Sequence, residues 1–199
     1  MTAAGTRHST RLRSGLRSDP VTADYLQVLA LDLLDAAADG LALARTGHAA
    51  PTRQYVSHGP PAVDGCDDPT FTGQLTVHYG RPAIRQRSAP DRPAVPRSLE
   101  VAPVGLLVIQ LWRCYPTVRE DGAAPDTATL NNAADSLNRD LWCMMTQIYG
   151  EHFVNPQTLF TGASCSSVSF GDPSSLGSPQ GGTAGWEWTI EVGLNDAGP

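Results

Sequence analysis

Residues Val104 to Tyr115 read VGLLVIQLWRCY, and alternate positions on both sides of this stretch are largely apolar. A strand with one face in water alternates apolar and polar side chains, so a run that is apolar on both sides belongs inside a sheet, with material over each face. The stretch is therefore expected as a central strand ending at Pro116, and the remaining segments must supply its neighbours and its cover.

Upstream, Phe71, Gly73, Leu75, Val77 and Tyr79 alternate with Thr72, Gln74, Thr76 and His78, which predicts a strand with one exposed face. A shorter strand is expected at Gln54 to Ser57, in irregular sequence that contains Pro60-Pro61 and Asp67-Asp68-Pro69. Two helices provide the cover. The first is predicted to begin at Asp19-Pro20, where Asp accepts from free amides and Pro fits the first helical position. Its apolar stripe is Leu26, Leu29, Leu33, Ala37, Leu41 and Ala44, its stop Gly47, and its aspartates Asp24, Asp32, Asp35 and Asp39 fall largely off the stripe. The second is predicted from an Asp126 cap through Leu130, Ala134, Leu137, Leu141, Met144 or Met145, and Ile148 to Gly150.

The chain closes as a hairpin. Val168 and Phe170 lead into a Gly-, Ser- and Pro-rich loop over 171–185, and Trp186, Trp188, Ile190, Val192 and Leu194 alternate with Glu187, Thr189, Glu191 and Gly193 on the return. These elements specify an α+β fold, a mixed or antiparallel sheet of about 4–5 strands flanked by two long helices. Residues 19–199 are expected as one α+β domain, since no internal repeat or dividing linker occurs. Residues 1–18 are expected as a flexible basic arm, too poor in apolar side chains to fold alone.

Charge is unevenly placed. The net charge is −6, yet residues 1–18 carry Arg7, Arg11, Arg13 and Arg17 and no acid, which leaves 10 of the 14 basic residues against 20 acids. Every basic residue is Arg, in the style of a GC-rich genome. An acidic body argues against general nucleic-acid binding. The segment Gly80 to Pro103 is a second basic feature, with Arg81, Arg85, Arg87, Arg92 and Arg97 among five prolines. It is expected as a long loop, and loops beyond about 12–15 residues are uncommon unless functional or disordered. A solvated insertion is the plainer reading of it.

Catalytic and ligand motifs are missing from the sequence. It holds no GxxxxGK[ST] or GxGxxG loop, and Gly181, Gly182 and Gly185 precede a strand, where no helix-end amides await an anion. Gly162-Ala163-Ser164-Cys165-Ser166 approaches a nucleophile elbow without its second glycine. The five histidines form no HExxH pair; His58 with Cys66 and Asp67 is better read as a surface turn, and the aspartates of the first helix as a solvated face. Cys66, Cys114, Cys143 and Cys165 show no CxxC spacing and, with no export signal or apolar run of about 18 residues, are expected as reduced thiols without a disulfide framework. No enzyme activity, cofactor, metal, membrane or specific nucleic-acid partner is expected.

Gln74-Leu75-Thr76-Val77, Leu111-Trp112-Arg113-Cys114-Tyr115-Pro116, Asp140-Leu141-Trp142 and Gly181-Gly182, in this order of elements, resemble the tail terminator and head-to-tail connector proteins of the neck of long-tailed actinobacteriophages. The resemblance covers about residues 21–195 and rests on element order and loose signatures. It implies a virion protein assembled in the host cytoplasm: a ring, usually hexameric, that caps the tail tube, contacts the major tail protein and presents a docking surface to the head-completion or stopper protein. An adaptor or stopper in the same neck is the alternative, and a small-molecule enzyme a distant third. The basic arm and the 80–103 loop make the chain larger than compact terminators. On this reading Arg81, Arg85, Arg87, Arg92 and Arg97 are expected to contact a neighbouring subunit or ring. Trp186 and Trp188 are a second candidate contact, because Trp is enriched where interfaces draw their energy; core packing explains them equally well.

Overall fold

The computed structural model of the chain describes residues 25–43, 48–63, 66, 68, 70–80, 83–86, 101–118, 122–154, 159–160, 165–177 and 182–194, with backbone alone for 83–86, 101–102 and 154. The expected arm, the helix start at Asp19-Pro20 and the stop at Gly47 lie outside them. In chain order the elements are α1 (Tyr25–Leu43), β1 (Arg53–His58), β2 (Gln74–Tyr79), β3 (Ala83–Gln86), β4 (Val101–Cys114), α2 (Thr127–Val154), β5 (Cys165–Phe170), β6 (Ser174–Leu176) and β7 (Thr183–Leu194).

β4 is the axis of the sheet, as expected, but among the described residues the expected cover over each face is complete on one only, Leu106 on the other being 36% exposed. It pairs antiparallel with β2 and β3 along one edge and with β7 along the other. The strand order is β1-β2-β4-β7-β5, and β1 runs parallel to β2, so the sheet is mixed. β3 continues the line of β2: Tyr79 faces Leu107 and Ala83 faces Val104, so one extra residue is taken up between them, as in a bulge. The same offset separates β5 from β6 along β7, where Phe170 faces Ile190 and Ser174 faces Glu187. Strand pairing thus enters the basic stretch 80–103 and the glycine-rich 171–185 loop from both ends.

Both helices lie against one face of this sheet. Gly105 sits directly under Leu26 of α1, and a methyl group there would collide with that side chain. α2 packs on α1 at Gly40, which leaves no room for a Cβ against Cys143 and Met144. Tyr149 of α2 then reaches Phe170 and Trp188 of the sheet, with ring centroids 4.8 and 5.4 Å away. Leu75, Val77, Leu107, Ile109, Leu111, Trp188 and Ile190 from the sheet join Leu29, Leu33, Leu141, Met144 and Ile148 from the helices in one buried cluster. Each such side chain contributes about 1.5–3 kcal/mol of burial, so packing rather than helix propensity holds the layer.

Three further expectations need correcting. β2 is buried along its whole length, not half exposed. The β1–β2 connection covers the start of the strand: parallel neighbours require a crossover, and Gln74 Nε2 donates to Ala62 O at 3.0 Å where this one passes. Cys66 in the same crossover is bonded to Cys114 on the same side of the sheet, their Cα atoms 5.5 Å apart. That disulfide overturns the expectation of four reduced thiols; Cys143 and Cys165 are free. Finally, α2 does not stop at Gly150 but runs to Val154. Gly150 lacks the positive φ of a helix stop, and the ring contacts of His152 and Phe153 hold the turn beyond it.

Candidate interaction surface

The N-terminus of α2 forms as the sequence implies: Asp126 Oδ1 accepts from Thr129 N at 2.7 Å, and these hydrogen bonds hold the Asp126 carboxyl below the usual carboxylate range. Further along α2, Asp140 is buried and takes Arg113 Nε of β4 on Oδ2 at 2.9 Å. His48 Nδ1 lies 3.0 Å from the same oxygen. The guanidinium is occupied on its other side as well, donating from NH1 to Ala49 O at 2.8 Å and to Thr72 O at 2.6 Å. The group therefore ties the chain after α1 and the chain before β2 to α2 and β4. An imidazole beside a carboxylate is half of a hydrolytic arrangement, but here the carboxylate serves a buried cation.

Among the described residues no group of three or more His, Cys, Asp or Glu side chains is placed to hold a metal. No described helix is long and apolar enough to cross a membrane. Gly162 to Ser164 of the elbow-like stretch lie outside the described residues; Cys165 opens β5, where burial pushes its thiol up.

Arg81, Arg87, Arg92 and Arg97 also lie outside the described residues. Arg85 is placed by its backbone in β3, opposite Ala102. Trp188 is fully buried, its Nε1 donating to Gly171 O at 2.7 Å and its ring set between Tyr149 and Phe170. Trp186 lies on the same helix-covered face, half-buried, with no hydrogen-bond partner for Nε1 among the described residues. The surface of Trp188 is thus taken up by this chain's own core.

The exposed aromatics are elsewhere. Trp142 and Phe153 are each 71% exposed, and both lie on α2. They are eleven residues apart, about three turns and 16 Å, so they share one flank. Cys143, Met144 and Gln147 are the α2 residues against α1 at Gly40, and Tyr149, stacked on Phe153, packs down onto Phe170. The flank of Trp142 and Phe153 consequently turns away from α1 and past β5. The sequence signal for it was present, because Trp142 and Phe153 both fall off the stripe of Leu137, Leu141, Met144 and Ile148.

The sheet face opposite the helices mixes Leu106, Val108 and Trp112 of β4 with polar side chains. Gln74, Thr76 and His78 of β2 lie on it with Gln110 of β4 and Glu187 of β7, and Gln110 Nε2 donates to Glu187 Oε2 at 2.7 Å. Gln74 Oε1, Thr76 Oγ1 and His78 Nδ1 are buried without a hydrogen-bond partner among the described residues. Burial pushes the His78 imidazole below its ordinary value, partly offset by the Glu187 carboxylate.

No family model matches the chain, and no curated protein matches it. Among solved structures, it is similar to a chain described as "Virion of native gene transfer agent (GTA) particle", at 13% identity and a TM-score of 0.39 over 88% of this chain and 98% of that one.

Proposed function

We propose that this chain is a structural virion protein, a ring-forming subunit of the neck of a long-tailed phage that caps the tail tube and docks to the head-completion complex. The observation that carries the reading is the α2 flank. A tryptophan and a phenylalanine 71% exposed on one side of a helix, next to the edge strand β5, are an apolar surface left uncovered among the described residues. Exposed apolar patches of this kind mark protein–protein contacts, and Trp is among the residues that dominate interface energies. The resemblance of Gln74 to Val77, Leu111 to Pro116 and Asp140 to Trp142 to neck proteins names the assembly.

The arginines of the 80–103 stretch are a second proposed contact, with a neighbouring subunit or ring, through charge. Replacing Arg81, Arg85, Arg87, Arg92 and Arg97 together with Ser leaves the monomer folded and weakens assembly under this reading. Purified protein mixed with tail-tube subunits and viewed by negative-stain electron microscopy tests the assignment itself. A terminator caps one end of the tubes and arrests their growth. Binding only to head-side rings would favour the adaptor or stopper, and binding to neither would end the virion reading.

A further inference from the structure

β1 and β5 stand at the two ends of the strand order, and among the described residues neither pairs with a strand on its outward side. The hydrogen bonds identify which amides point out. On β1, Arg53 N donates to Gly73 O and Gly59 N to Tyr79 O, so the odd-numbered amides turn to β2 and those of Gln54, Val56 and His58 turn away from the sheet. On β5, Gly171 N donates to Thr189 O, so Ser169 also turns to β7 while Val168 and Phe170 present their amides outward.

Sheet edges are normally blunted by Pro, charge or bulges. These two are nearly bare. β1 and β5 are 6 residues each, neither contains Pro, and Arg53 is the one Arg, Asp or Glu between them. The irregular pairing of β5 is confined to its start, between Cys165 and Ser167.

Each edge can pair with the other. β1 is parallel to β2, and the pairs β2–β4, β4–β7 and β7–β5 are antiparallel, so β1 and β5 run in opposite directions. Two copies oriented alike would set β5 of one against β1 of the next as an antiparallel ladder. The ends differ in charge as well. Beside β5, the helix-free face of β7 carries Glu187 and Glu191 and the turn after β5 carries Asp172, whereas β1 carries Arg53 on that same face, with Asp68 near its guanidinium. The helix layer repeats the asymmetry. Trp142 and Phe153 project beyond β5, while exposed Leu31 sits nine residues, about two and a half turns, from Gly40 and so on the flank of α1 turned from α2.

We infer that copies of this chain join head to tail, the β5 edge and α2 flank of one copy pairing with the β1 edge and α1 flank of the next. The inference rests on the ring-subunit reading and supplies its contact. One donor end and one acceptor end per copy is the heterologous arrangement that closes into a ring when the rotation per subunit divides a full turn. Main-chain bonds across the joint give affinity, and the aromatic flank buries the apolar area.

The test uses the full chain. Hydrogen–deuterium exchange at concentrations that assemble it should show the amides of Gln54, Val56, His58, Val168 and Phe170 protected, and dilution to monomer should release them. Gln54→Pro removes one outward donor at an exposed position, where an edge strand tolerates Pro, and should weaken assembly about tenfold or more with an unchanged circular dichroism spectrum. If that variant misfolds, exchange in the unaltered chain decides alone. Assembly with those five amides unprotected, or undiminished in folded Gln54→Pro, would overturn the strand contact and leave the ring reading standing. A chain that stays monomeric and binds no tail component would remove both.

Discussion

Asp140 and Arg113 show how one buried pair can join four parts of a chain. Both side chains are almost wholly buried, and the guanidinium also satisfies Ala49 O and Thr72 O. Asp140→Ala leaves that cation buried and uncompensated, a situation that costs about 3–5 kcal/mol, to be read from urea denaturation. Replacing Arg113 with Met and Asp140 with Leu together should cost less than Asp140→Ala alone, because no charge is stranded. Half of this was legible in the sequence. Arg113 interrupts an apolar strand and Asp140 falls within the apolar face of α2, both signs of a buried charge. That they belong to each other, 27 residues apart, depends on how α2 lies across the sheet. His78 makes a second prediction. Its folded-state pKa lies below the ordinary value of 6.5, so the folded chain binds fewer protons than the unfolded one as pH falls through that value. Stability present above pH 6.5 is lost on acidification toward the depressed pKa. Thermal melts between about pH 7.5 and 5 should show a falling midpoint, and His78→Gln should flatten that slope.

At the scale of elements, β4 was legible as a central strand because strands pair with it along both edges and Leu107, Ile109 and Leu111 on its helix-facing side are wholly buried, whereas Leu106 on the other face is 36% exposed. The apolar stripes of α1 and α2 and the Asp126 cap of α2 were legible for the same local reason. β2 was not, since its alternation is real but the crossover that leads into it from β1 returns over Gln74, 12 residues beyond Ala62, and is tied to β4 by the Cys66–Cys114 bond. The disulfide was invisible to spacing rules, its cysteines lying 48 residues apart. Reducing it, or Cys114→Ser, should lower stability by about 2–4 kcal/mol by freeing a long loop in the unfolded chain, measurable as a lower denaturant midpoint. The β4–β7 pairing depends on a missing side chain. A Cβ at Gly185 would strike Leu111 O, a backbone atom that cannot swing aside. Gly185→Ala should therefore cost about 1–3 kcal/mol, whereas Gly150→Ala, with open space around it, should not destabilise α2.

For the whole molecule, the fold separates a structural interior from surfaces that differ from end to end. Trp188, expected as a candidate contact, belongs to the interior, and Trp142 and Phe153 replace it as the aromatic surface. The sequence held these residues but not their exposure, which follows from which flank of α2 meets α1. Replacing Trp142 with Ser should change monomer stability by no more than about 0.5 kcal/mol, as for an exposed site, while weakening self-association and tube capping. The most direct measurement is the native mass of the full chain across a range of concentrations. The account predicts one closed assembly of fixed copy number, consistent with head-to-tail contacts that leave no end free. A monomer at every concentration, or an open series of growing oligomers, would contradict it.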